Sequence, residues 1–157
     1  MGEMLAGEWD ADSYAATTDA ELCATARLIG ALYRSMGDFP LFARVSLLYF
    51  AAASFAETAR RLGRKEMASS FLLCGDPVFG PACAGLCERI MRGEKGLEDE
   101  ILRAIEPFDV AGLRRTERRN WYPVEAAELL GAAAKLGATE SDVRRLLRRA
   151  GFESAGF

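Results

Sequence analysis

The stretch FPLFARVSLLYFAAASFAETARRL, residues 39–62, would place apolar side chains on nearly every side of a helix for most of its length. A helix of that kind has to be wrapped, so it dictates a fold in which other elements surround it. Asp38 or Gly37 can start the helix, Pro40 fits its first turn where no N–H is needed, and Gly63 stands where a left-handed C-cap closes a helix. At about 100° per residue, Leu41, Val45, Leu48, Ala52, Phe55, Ala56 and Ala59 form one stripe, and Leu47, Tyr49, Phe50 and Ala53 cover much of the remaining surface. Between Val45 and Ala56 only Ser46 and Ser54 are polar, a run too short for a membrane span of about 20 residues. The expectation is a central buried helix over about residues 40–62, roughly 34 Å long at about 1.5 Å per residue. Past Ala56 the polar Glu57, Thr58, Arg60 and Arg61 carry it into water, with Glu57 and Arg61 paired at i,i+4.

The rest of the chain reads as further helices. Residues 1–17 show no apolar period and are expected to be a poorly structured arm. Thr18-Asp19-Ala20-Glu21 has the form of a capping box, after which Leu22, Ala26, Ile29, Leu32, Tyr33 and Met36 repeat at helical spacing until Gly37. The few residues between this helix and the central one predict an antiparallel pair. A third helix is expected over 64–73, with Met67, Phe71 and Leu72 inward. The segment CGDPVFGPACAG, residues 74–85, is punctuated by Gly and Pro. In it Asp76 and Pro77 open a turn presenting Val78 and Phe79, either as a loop lining a ligand or partner or as a connection plugged into the core by Phe79. Residues 86–91 are helical. Leu97, Ile101, Leu102 and Ile105 mark a short amphipathic helix ending at Pro107. Residues 108–122, FDVAGLRRTERRNWY, have no helical period and pass from apolar to basic to aromatic. Pro123 begins a helix with Val124, Ala127, Leu130, Ala134 and Leu136 inward, ended by Gly137. Thr139 caps a last helix whose stripe is Val143, Leu146, Leu147 and Ala150. Strand-like alternation is absent, so the fold class is all-α: a multi-helix orthogonal bundle over residues 18–152 with a C-terminal αα-hairpin, followed by a tail at 153–157.

Composition narrows the function. A chain of 157 residues that is 50% hydrophobic suits one domain, and its net charge of −3 argues against a general polyanion binder. Residues 1–57 carry eight acids against three bases, whereas residues 101–157 carry ten bases against eight acids. Cys23, Cys74, Cys83 and Cys87 are not preceded by a signal-like segment, so reduced thiols and a cytoplasmic setting are expected. With no histidine and no common zinc spacing, these cysteines read as small buried hydrophobes rather than as metal ligands. There is no phosphate-binding glycine pattern, nucleophile elbow or HExxH, and the carboxylates at helix starts suit the helix dipole. The residues thus supply no catalytic, cofactor-binding or metal constellation.

Three segments, LYRSMGDFPLFARVSLLYFAAASFAETARRLGR, then SSFLL with the DPVFG turn, then IEPFDVAGLRRTERRNWYPV, carry a resemblance over residues 22–152. The chain resembles the C-terminal helical region of flavin-dependent halogenases, in the tryptophan-halogenase-like branch that acts on phenolic and polyketide substrates. The resemblance implies an FAD-dependent oxidoreductase whose upstream lobe binds FAD through a Rossmann-type glycine motif. In that family reduced flavin, oxygen and halide form a hypohalous oxidant that reaches a lysine beside the substrate. The glycine motif and the family's WxWxIP motif are absent here, and Lys65, Lys95 and Lys135 match no family context, so no catalytic role carries over. What is implied is a lobe not catalytic alone, binding no FAD by itself, packing on a flavin-binding lobe in cis or in trans and shaping the side of a small aromatic substrate. Asp76, Val78 and Phe79, with Arg118, Arg119, Trp121 and Tyr122, are the residues expected to face that partner or substrate.

Two other classes compete. Residues 124–136 and 139–149 resemble a helix-turn-helix, whose Arg-rich second helix would enter a major groove, although the overall acidity makes nucleic acid an improbable partner. A stand-alone helical interaction module is the other.

Overall fold

The computed structural model describes residues 10–115 and 126–149, and every regular element among them is helical. In chain order these are α1 (Ala11–Ser35), α2 (Phe39–Arg61), α3 (Phe79–Met91), α4 (Glu98–Ile105), α5 (Ala126–Gly131) and α6 (Glu140–Arg149). Short 3-10 turns lie at Lys65–Ala68, Phe71–Leu73, Glu106–Phe108 and Ala133–Leu136. The all-α class follows the sequence.

Helix α2 is the organising element. Asp38 caps it, its carboxylate accepting the Leu41 N–H at 3.3 Å. The whole stripe from Leu41 to Ala59 is buried, joined by Leu47 and Ala51. The helix packs against α1, α4 and the 3-10 turns that follow it. Its wrapping is incomplete, however: Tyr49 and Phe50 are 44% and 40% exposed, their rings edge-to-face on each other at 5.4 Å. The buried arc has turned toward Leu47 and Ala51, which leaves the two aromatics outside. With a mean hydropathy of 1.5 over its most apolar window, α2 is long and apolar enough to cross a membrane, yet the stripe that makes it so holds the core of the bundle.

Helix α1 departs from expectation at its start and in its face. It begins at Ala11, well before the supposed capping box, because Asp10 accepts the Ser13 N–H at 2.8 Å and the run behind it is rich in alanine. The Ser13 backbone and hydroxyl together hold the Asp10 carboxyl below its usual range. Thr18 is therefore interior, its hydroxyl donating back to the Tyr14 carbonyl at 2.9 Å. Glu21 instead reaches out of the helix to accept the Phe71 N–H at 2.6 Å. The buried residues are Leu28, Ala31 and Ser35, so the face turned to α2 and α3 is not the one marked by the large apolar residues.

The third predicted helix is replaced by two 3-10 turns. Leu72 and Leu73 have φ of 49° and 56°, left-handed values that cost a non-glycine residue about 1–2 kcal/mol. That conformation reverses the chain, burying Leu73 and leaving Phe71 exposed where the helical reading had it inward.

Beyond this turn α3 and α4 are fastened by Arg89, whose guanidinium meets Glu94 at 2.5 Å and Glu100 at 2.6 Å. Leu97, Ile101 and Ile105 are buried as their spacing predicts. Both glutamates are held below the usual carboxylate range by hydrogen bonds from Arg89, and Asp142 is held low by the Thr139 backbone and hydroxyl. Groups of this kind add stability above their unfolded pKa, about 4, and lose it as pH falls through the lowered folded values. The urea midpoint should therefore fall on acidification below about pH 4, and Arg89→Gln should lower the midpoint at neutral pH while flattening that fall. An unchanged acid slope in Arg89→Gln would place the acid sensitivity elsewhere.

The core closes on three aromatic rings: Phe108 sits edge-on to Phe55 at 5.2 Å and to Phe79 at 5.1 Å. Next to it, the buried Asp109 carboxylate accepts the N–H groups of Leu113 at 2.8 Å, Arg114 at 3.0 Å and Ala111 at 3.3 Å. The segment without helical period is thus ordered at its start by one side chain. Lys135 ties it to the C-terminal hairpin, donating to the carbonyls of Glu106 at 2.5 Å and Asp109 at 2.9 Å.

In that hairpin α5 ends at Gly131 and gives way to the Ala133–Leu136 3-10 turn, where the α-helix was expected to run on to Leu136. Ala127 and Ala134 are exposed rather than inward, while Leu136 is buried. Gly137 is left-handed at φ 56°, and Thr139 and Asp142 cap α6 reciprocally at 3.0 and 3.2 Å. Val143 and Leu147 form a satellite core with Ala133 against Leu62.

Candidate functional site

Two features of the bundle have the character of a site. The first is a cavity of about 440 Å³ bounded by α1, the Phe71–Leu73 turn with its Cys74–Gly75 exit, and α3, with Leu48 of α2 at its base. Its walls are largely cysteine, alanine and leucine, with Phe79 on the core side. The strained Leu72 is one wall, so the left-handed turn that interrupts the predicted third helix shapes the cavity. Close packing fixes the opposite side: a Cβ on Gly80 would stand 2.3 Å from the Cys74 carbonyl oxygen, so only glycine lets this turn rest on α3. Gly80→Ala should lower stability by about 1–3 kcal/mol in urea denaturation. A change below about 0.3 kcal/mol would mean that the turn does not pack as described.

All four cysteines face this cavity. Cys83 and Cys87 are one turn apart on α3, as their spacing predicts, and interact through their thiols. Cys87 donates to Cys83, which lowers the Cys83 pKa and raises that of Cys87. The approach of Cys23 and Cys74 depends on the packing of α1 and the turn, which i,i+4 spacing cannot report. Among the described residues no group of three or more Cys, Asp or Glu is placed to hold a metal ion.

The second feature is the outer face of α1. Leu22, Ile29, Tyr33 and Met36 are 61%, 47%, 68% and 58% exposed, and Phe39 follows them at the start of α2, also exposed. Offsets of 7, 11 and 14 residues from Leu22 put all four on one side of the helix. Of the stripe expected to make the core, these four and Ala26 lie at the surface, and Leu32 packs against the core.

The residues singled out from the DPVFG turn separate. Asp76 accepts the N–H groups of both Val78 and Phe79 at 2.8 Å and so opens α3. Val78 is exposed. Phe79 is 2% exposed and packed against Phe108, so the plugged-connection alternative describes it and it forms no part of an outer surface. Arg118, Arg119, Trp121 and Tyr122 lie outside the described residues, as do Val124 and Ala150. On α6, Arg145 pairs with Asp142 at 2.8 Å and Arg144 with Glu140 at 3.7 Å, which engages within the helix two of the charges a major-groove reader would need. No family model, curated protein or solved structure matches the chain.

Proposed function

We propose that this chain is the helical lobe of an FAD-dependent halogenase or a related flavin oxidoreductase, and that it works by packing on a flavin-binding lobe. The resemblance over residues 22–152 motivates the reading. The observation that carries it is the apolar stripe of Leu22, Ile29, Tyr33 and Met36, about 21 Å long at about 1.5 Å per residue. An amphipathic helix normally turns such a stripe to its own core, and contiguous exposed apolar patches mark interaction sites. Covering it with a second lobe would reunite the helix with a core.

In this reading the lobe supplies packing and one side of a small aromatic substrate's surroundings, in a cytoplasmic setting consistent with four free thiols. The flavin lobe supplies FAD and the oxygen chemistry. The chain's own residues offer no glycine-rich turn for a pyrophosphate. Expressed alone, the chain should retain no FAD. Co-expressed with a flavin-binding region encoded in the same locus, it should copurify with that region and its FAD. Tight FAD retention by the chain alone, or a locus without any flavin-binding region, would overturn the assignment.

A further inference from the structure

The cavity between α1 and α3 is not used by the docking just described, which places the partner on the outer face of α1. We propose that it is a binding site for an amphiphilic organic anion, with an apolar body of one or two rings or a short chain in the cavity and a single carboxylate or sulfonate at Arg27. Its volume of about 440 Å³ is within the range of small-molecule sites, about 300–1,000 Å³, and such sites are mostly apolar with a few placed polar groups. Among the described residues, Arg27 is the only charged one lining it. That guanidinium is exposed, and no described residue forms an ion pair or hydrogen bond with it. An anion meeting it would gain a charge-assisted hydrogen bond without displacing an existing partner. The thiols act as small polarisable walls. The left-handed Leu72 adds the local strain that tends to gather at binding sites.

The test uses the full chain and 8-anilinonaphthalene-1-sulfonate as the probe, at about pH 8, where iodoacetamide finds enough thiolate to react. The probe should bind with 1:1 stoichiometry, and its saturation should slow iodoacetamide alkylation of Cys83 read by mass spectrometry. Arg27→Gln should weaken binding about tenfold. Ala84→Phe, which fills the cavity, should abolish it, and circular dichroism checks that this variant is folded. Arg27 is exposed, so Arg27→Gln keeps the proposal testable if Ala84→Phe does not fold. Tyr33→Ser, on the outer face of α1, should leave the affinity unchanged. Absence of 1:1 binding, binding indifferent to Arg27→Gln, or binding lost in Tyr33→Ser would each overturn the site. So would stoichiometric displacement of the probe by a flavin-binding region, which would assign the cavity to a side chain of that partner.

Discussion

Phe108→Ala should destabilise the protein by about 3–5 kcal/mol, the largest loss expected from a single side chain. The ring is buried at the junction of three elements, edge-on to Phe55 from α2 and to Phe79 from the first turn of α3. Truncation removes a large apolar area, leaves a void between two rings held by their own helices, and forfeits two aromatic contacts worth about 0.5–1.5 kcal/mol each. Collapse to fill the void is hindered from below, because the neighbouring Asp109 is pinned by the Leu113 and Arg114 N–H groups. Urea denaturation followed by far-UV circular dichroism measures the loss. A cost under about 1 kcal/mol would mean that the three rings are not the closing point of the core.

Leu48→Ala should cost about 2–5 kcal/mol, whereas Phe50→Ala should cost less than about 1 kcal/mol. Both residues lie in the apolar run of α2 and look equivalent in the sequence. Leu48 is fully buried at the middle of the helix, while Phe50 is 40% exposed beside Tyr49. The ratio of the two effects therefore reads the rotation of α2 within the bundle. Equal costs, or a larger cost at Phe50, would show the helix turned the other way.

That pair also indicates how much a pattern can say. The stripe from Leu41 to Ala59 was legible because its spacing matches one face of a helix and because Asp38, Pro40 and Gly63 mark the ends. Leu97, Ile101, Ile105, Val143 and Leu147 were legible for the same reason. Helix α1 was misread in part since its core contact is made by Leu28 and the half-buried Leu32 together with Ala31 and Ser35, two small residues that allow close approach. Periodicity gives weight to the large apolar residues, here Leu22, Ile29, Tyr33 and Met36, and cannot distinguish a stripe facing the chain's own core from one facing outward. The capping box failed because the stronger cap at Asp10 lies eight residues upstream of Thr18 and starts the helix first. The turn at Leu72 and Leu73 was hidden because nothing in a leucine pair signals a left-handed backbone. The cavity was hidden with it, since that turn is one of its walls and the others come from helices distant in sequence.

The most direct measurement is calorimetric titration of the chain with the flavin-binding region. The account predicts 1:1 binding with a negative heat-capacity change from buried apolar surface. Ile29→Asp and Tyr33→Asp, on the exposed stripe and away from the core, should each weaken that binding at least about tenfold while leaving the urea midpoint of the free chain unchanged. No binding by the unmodified chain, or binding that both substitutions leave intact, would contradict it.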